Sequence, residues 1–344
     1  MAISNGLAPA LAVLLGLGLA EANAPAAAEA PGPPWLSPSG GDHPLAGEIW
    51  QPSEAAYAGA EAVAAALARA PFVLIGEKHD NADHHRIQAW LLSALIERGR
   101  RPAVAFEMFT TDQQDRLDHY LDAHPRDAAG LGEAVGWAET GWPAWALYQP
   151  IAEAALAAGA PILAASLPRH TVREIARQGV AALGADRVAA LGLDQALPAE
   201  ATARMQTEIA DSHCNQLPEP MIAPMIAVQT AKDAVMAGVV IDGARLPERD
   251  GAVLIAGGGH VRMDHGVPWH LRRLAPGRGI ATVGLVEVED GWTDPAAYAA
   301  KFDAAVAPFD FVWFTPRADD EDPCEKYADE LRRAGARKPD DATP

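Results

Sequence analysis

The stretch VLIGEKHDNADHHRIQ, Val73 to Gln88, ends an apolar run in Gly76 and then sets out Glu77, His79, Asp80, Asp83, His84 and His85. A solvated loop has no need of three imidazoles. Three further places in the chain end an apolar run on chemistry-bearing residues. PAVAF is followed by Glu107, and PILAA by Ser166 and Arg169. AVLIA is followed by Gly257, Gly258, Gly259 and His260. Two carboxylates and two neutral imidazoles (Glu77, Glu107, His79, His260) are ligands for a divalent metal such as Zn, Mn or Fe. The same set runs acid/base chemistry, because Glu beside His shifts the pKa of each. An imidazole, or the phenol of a tyrosine, also serves as an axial ligand to haem iron. Residue types alone leave these three open.

Each residue has a plainer role. Glu77 and Glu107 could cap helix N-termini. Of His84 and His85, at least one is expected to face water. Tryptophans gather at Trp137, Trp142 and Trp145, beside Tyr148, and such a cluster packs a core more often than it walls a cofactor. His213 beside Cys214 resembles a thiolate–imidazole pair, but a lone dipeptide is weak. GGGHVR lacks the G-x-G-x-x-G spacing of a dinucleotide site, and neither a Walker pattern nor a G-x-S-x-G elbow is present.

What must position these groups is a series of buried strands. Phe72–Ile75, Pro102–Phe106, Pro161–Ala165 and Ala252–Ala256 are short apolar runs that read as strands, followed by further strands at Ile280–Val288 and Phe309–Phe314. Helical patterns separate them. Asn81 or Asp80 caps a helix to about Arg98 that carries Ile87, Leu91, Leu92 and Leu95 at helical spacing. Thr111 is expected to cap the next helix. The alternation predicts an α/β fold: a mostly parallel sheet with helices on both faces. Three helices between Pro168 and Gly238 form an insert, about residues 171–238, placed as a second layer or lid. In an open parallel sheet ligands bind outside the carboxyl ends of the strands, so all four strand ends are expected to meet at one crevice.

The 344 residues carry 27 Lys and Arg against 46 Asp and Glu, a formal charge of −19 that repels phosphate backbones and makes nucleic acid an unsuitable partner. LAPALAVLLGLGLA, Leu7 to Ala20, is too short to span a bilayer comfortably, and small residues follow it. Residues 1–28 therefore read as a signal peptide and the chain as exported, to a bacterial periplasm. No cysteine lies near the cut, so a lipid anchor is not expected. Residues 29–54, rich in Ala, Pro and Gly, read as a linker outside the core. Residues 55–316 read as the folded domain and 317–344 as a charged tail. Export permits a disulfide between Cys214 and Cys324, although a free Cys324 in that tail reads equally well.

Five motifs together resemble a known family. LIGEKHDNADHHRIQ, AFEMFTTDQQDRLDHYL, WALYQPIAEAALAAGAPILAASLPR, AVQTAKDAVMA and GGGHVRMDHGVPWHL occur in the order seen in ChaN-like haem-binding uptake proteins of the Tiki/erythromycin-esterase-like superfamily. The resemblance covers about Ala55 to Leu285. It implies an exported protein of bacterial haem and iron acquisition, with Glu77, His79, Glu107 and His260 at the superfamily's site. Ligand chemistry and position rank the axial residue as His79, Tyr148, His260, then His213. Arg86 or Arg169 would pair with the propionates, and the Trp137–Tyr148 segment would bury the ring. A homodimer sharing the macrocycle and a membrane transporter as partner are compatible with this reading. The alternative is a Glu/His-dependent hydrolase, with Glu77, His79, Glu107 and His260 activating water, with or without a metal.

Overall fold

The computed structural model describes residues 29–322, together with 324, 325 and 328. The expected signal peptide and most of the charged tail lie outside the described residues. Eight strands form one sheet: β1 (Ile49–Gln51), β2 (Ala56–Tyr57), β3 (Phe72–Glu77), β4 (Pro102–Thr110), β5 (Ile162–Ser166), β6 (Gly251–Gly257), β7 (Ile280–Glu287) and β8 (Phe311–Thr315). Their order is β2-β1-β8-β7-β3-β6-β4-β5. The six strands from β3 to β8 pair in parallel, and only β1 and β2 add antiparallel edges.

Alternation along β3 shows why both faces are covered. Val73 and Ile75 join a core with helices Ala60–Leu67, Ala82–Glu97 and Trp145–Ala157, whereas Phe72 and Leu74 join one with Met236, Ala237, Val240 and Leu271. Strands buried on both faces read as continuous apolar runs, which is why all six parallel strands, β3 to β8, were visible in sequence. Asn81 caps helix Ala82–Glu97, its side chain accepting from the backbone N–H groups of Asp83 and His84. At the next helix start the capping box is Thr110 with Gln113, one residue earlier than expected.

Two readings of the chain are corrected here. Residues 29–54 are more than a linker: Leu45 and Ile49 are buried and β1 pairs with β8, so this segment closes one sheet edge. Its Pro and Gly content masked a strand of three residues, too short to show alternation. The insert holds four α-helices, Arg169–Gln178, Ala185–Ala190, Ala199–Ser212 and Glu219–Gly243. The last runs five residues past the expected stop, because Gly238 sits inside the helix and packs by Leu191. The insert has its own small core of Leu167, Ile175, Leu193, Ala231, Ala234 and Val235.

Cys214, at the turn after helix Ala199–Ser212, is disulfide-bonded to Cys324. The bridge settles the pairing that the sequence left open. It also removes any thiolate that His213 could have activated.

Candidate functional site

β3, β6 and β4 are neighbours, with Glu77 in register with Gly257 and Phe106 in register with Ile255. Their carboxyl ends therefore lie side by side. β4 carries two extra residues against β5: Phe106 pairs with Ala164, but Thr110 pairs with Ser166. A bulge of this kind re-aims side chains at a sheet rim, and Glu107 is the first residue of it. The turn after β6 sits tightly on β3. A Cβ on Gly76 would lie 3.0 Å from the Gly258 Cα and 3.1 Å from the Val261 Cβ. A Cβ on Gly257 would lie 3.0 Å from His79 Nε2, so glycine there leaves room for the imidazole.

Two polar clusters result. In the first, Nδ1 of His79 donates to Oε1 of Glu77 at 2.8 Å, and the hydroxyl of Tyr148 donates to the same oxygen at 2.8 Å. Nδ1 of His85 lies 3.2 Å from the other oxygen, and Nε2 of His85 donates to the backbone carbonyl of His79. Burial alone would raise the pKa of Glu77, but His85 and His79 hold it well below the carboxylate range. Burial opposes charge on His79, yet the hydrogen bond and charge of Glu77 raise its pKa. Nδ1 of His79 is thus fixed as the N–H nitrogen and Nε2 as the lone-pair nitrogen. Among the described residues Nε2 makes no hydrogen bond, and the side chain is 33% exposed. Trp142 packs edge-on against this ring, centroids 4.7 Å apart.

In the second cluster, Oε1 of Glu107 accepts from Lys232 Nζ at 2.8 Å and lies 3.0 Å from His260 Nε2. Its Oε2 accepts from the backbone N–H of Gly257 at 2.8 Å. Nδ1 of His260 donates to Asp233 at 2.5 Å. Burial lowers the pKa of His260, but the Glu107 carboxylate, and Asp233 behind it, push it up to about 9 in spite of Lys232. Burial raises the pKa of Asp233, an effect His260 opposes.

Two cavities adjoin these clusters. One of about 820 Å³ lies between the rim and the insert, and one of about 460 Å³ lies against Glu77, His79, Gly257–Gly259 and His260. Glu208 and Gln229 line both and divide them. Four of the seven methionines, Met108, Met205, Met221 and Met225, line the larger cavity, giving it an adaptable apolar wall opposite Trp142.

The structure brings Glu77, His79, Glu107 and His260 to one rim, as the strand ends required. It does not assemble them as a metal set. Among the described residues no three or more His, Cys, Asp or Glu side chains are grouped to hold an ion. Lys232 places its own ammonium beside both Glu107 and His260.

Other expected residues have different places. Tyr148 is fully buried and holds Glu77, and its phenol pKa is raised by burial and by that carboxylate, so it lies behind the rim and not in a cavity. Arg86 is engaged by Asp83 and the Pro34 carbonyl and lines neither cavity. Arg169 and His213 do line the larger one. His213 Nδ1 donates to the Ile209 carbonyl. Trp137 and Trp145 pack with Phe109 in the core, so of this aromatic group only Trp142 reaches the cavity. His84 and His85, one of which was expected in water, are both buried. His84 accepts from the Lys78 N–H, its Nε2 is 2.8 Å from the Thr315 hydroxyl, and burial lowers its pKa to about 3.

Sequence reasoning passed over Lys232, Asp233 and Gln229. The available signal was three polar residues interrupting an apolar helix, with Met221, Met225, Gln229 and Lys232 on one helical face.

The family model described as "Haem-binding uptake, Tiki superfamily, ChaN" matches residues 63–271, and the chain belongs to that family. The solved structure of ChaN of Campylobacter jejuni, which shows cofacial haem binding, is 22% identical, with 77% of this chain and 95% of that one covered at a TM-score of 0.57. That likeness shows the fold. An erythromycin esterase, EreC in its open conformation, is more distant: 14% identical, 75% and 94% covered, TM-score 0.40. The type III effector HopBA1 is 11% identical, 74% and 91% covered, TM-score 0.41. No curated protein matches the chain in sequence.

Proposed function

We propose that this chain is an exported haem-binding protein of bacterial haem and iron uptake, which holds haem at the carboxyl-end rim of the sheet, under the insert. One observation carries the reading. His79 has its Nδ1 proton committed to Glu77 and its Nε2 lone pair uncommitted beside the smaller cavity, with Trp142, which lines the adjoining larger one, packed edge-on against the ring. Ligating histidines characteristically give their second nitrogen to a carboxylate, which fixes the ring and raises its basicity. The donor set would fit haem iron, with His79 as the residue that would hold it. Tyr148 is a support for Glu77, His260 is held by Glu107 and Asp233, and His213 lines the larger cavity and not the one that His79 lines. Bound haem supplies an iron centre. The chain supplies an imidazole, the apolar Met and Trp walls, and exclusion of water by the insert.

The Cys214–Cys324 bridge supports export, because disulfides persist in oxidising compartments. Delivery to a membrane transporter and sharing of the macrocycle between two copies belong to the same proposal. Light scattering with and without haemin tests the second. The function itself is tested by protein freshly purified from its own cells. A pyridine haemochrome spectrum with iron in matching amount is expected. Protein that stays haem-free when its cells are fed haemin would contradict the reading.

A hydrolase is the second reading, favoured by the Asp233–His260–Glu107 alignment. At neutral pH the raised pKa of His260 makes this imidazole an acid and not a base. Turnover of an ester, lactone or peptide, lost in His260→Ala and indifferent to haemin, would establish it.

A further inference from the structure

The larger cavity is apolar along its walls but carries two cations of a particular kind. Arg116 lies on helix Gln114–Ala123, which follows β4, and Arg169 opens helix Arg169–Gln178, which follows β5. β4 and β5 are paired neighbours, so the two arginines follow adjacent strand ends, and both line this cavity. Both are exposed. Arg169 donates to the Thr140 carbonyl, which ties its guanidinium to the segment that carries Trp142. Neither arginine forms an ion pair among the described residues. The third cation of the cavity, Lys232, is committed to Glu107. Asp112 and Glu139 line the same cavity, but Asp112 accepts from the Thr110 hydroxyl and neither pairs with Arg116 or Arg169.

In a chain with 46 acidic side chains and 27 basic ones, two arginines left without a carboxylate at one apolar cavity are available to anionic groups of a ligand. Guanidinium recognises carboxylate through two parallel N–H donors. We infer that Arg116 and Arg169 form a clamp for two carboxylates borne on one edge of a flat apolar ligand. The ring then enters the Met- and Trp-lined space while the charged edge stays in solvent. The inference rests on the haem reading and deepens it. The cavity selects a macrocycle with free propionates and discriminates against the same macrocycle with those groups esterified.

The test uses the full chain and two probes, haemin and haemin dimethyl ester, followed by Soret absorbance. Wild type, Arg116→Gln, Arg169→Gln, Arg169→Lys and the double Gln variant are compared, with circular dichroism as a check on folding. Each Gln variant is expected to weaken haemin binding by about 5- to 10-fold and the double variant by more, with Arg169→Lys in between. Binding of the ester is expected to be weaker in wild type and unchanged by the substitutions. Equal wild-type affinity for both probes, or an equal loss for both in the variants, would overturn the clamp while leaving haem binding standing. Failure of wild type to bind either probe would overturn the haem reading and the clamp with it.

Discussion

Nδ1 of His79 and Oε1 of Glu77 are 2.8 Å apart, two residues from one another at the end of a single buried strand. The strand fixes the carboxylate, the carboxylate fixes the tautomer, and the tautomer decides which nitrogen faces the cavity. In the proposed haem reading, His79 is thereby prepared as a ligand before anything binds.

Glu77→Gln keeps the shape and the acceptor oxygen but removes the negative charge. The imidazole of His79 becomes a poorer electron donor. Haem affinity is expected to fall about 10-fold, a usual loss when the partner of a ligating histidine is changed. The ferric/ferrous midpoint should move upward. Equilibrium haemin titration and spectroelectrochemistry measure both.

Tyr148→Phe separates support from ligation. The phenol is buried and donates to Glu77, so the variant should keep an axially ligated haem spectrum. Stability should drop by about 1.5–3 kcal/mol, the cost of a lost hydrogen bond to a buried charge. Urea unfolding beside a Soret spectrum reads the two outcomes together. Loss of the haem spectrum with stability intact would make Tyr148 the ligand.

How far the sequence reaches is instructive at individual residues. Glu77, Glu107 and His260 were legible because each follows an apolar run, and parallel strands deliver such residues to one rim. Lys232 and Asp233 were not, because their role depends on how helix Glu219–Gly243 is laid over β4 and β6, which periodicity does not give. Burial of His84 requires Thr315 on β8, a partner distant in sequence. Tyr148 read as a ligand on its phenol and its position beside the Trp cluster. Only its place on the buried face of helix Trp145–Ala157 shows that it points at Glu77. The edge strand β1 was hidden by its brevity among Ala, Pro and Gly.

Stability should depend on pH from both sides. His260 has a folded pKa of about 9 against an ordinary 6.5, so its ion pairs contribute fully below pH 6.5 and are lost as the pH rises through about 9. His84 and His270 have folded values near 3, both lowered first by burial, so the unfolded chain takes up their protons first. They cost stability as the pH falls from 6.5 towards 3. Glu77 and Glu107, held below the carboxylate range, add to the acid loss as the pH falls below the unfolded value of about 4.3. Urea midpoints from pH 4 to 10 should therefore peak near neutrality, and His260→Gln should weaken the alkaline limb, to which His79 and His85 also contribute, and the acid limb as well, because His260 is the main charge that holds the Glu107 pKa down.

Reduction of Cys214–Cys324 should loosen the insert. The two residues are 110 apart in sequence, and closing a loop of that length is worth about 4–5 kcal/mol in the chain-entropy account. Cys214 follows the helix that supplies Met205 and Glu208 to the cavity wall. A lower Tm and faster haem release are expected in dithiothreitol and in Cys214→Ser. Identical dissociation rates in oxidised and reduced protein would show that the bridge does not hold the cavity.

The most direct measurement is a haemin titration of metal-free wild type and His79→Ala, followed by Soret absorbance and electron paramagnetic resonance. The account predicts a saturable shift in wild type with a nitrogen-ligated ferric signal, and in His79→Ala a loss of that signal with affinity down at least about 10-fold. An unchanged spectrum and affinity in the variant, or no saturable shift in wild type, would contradict it.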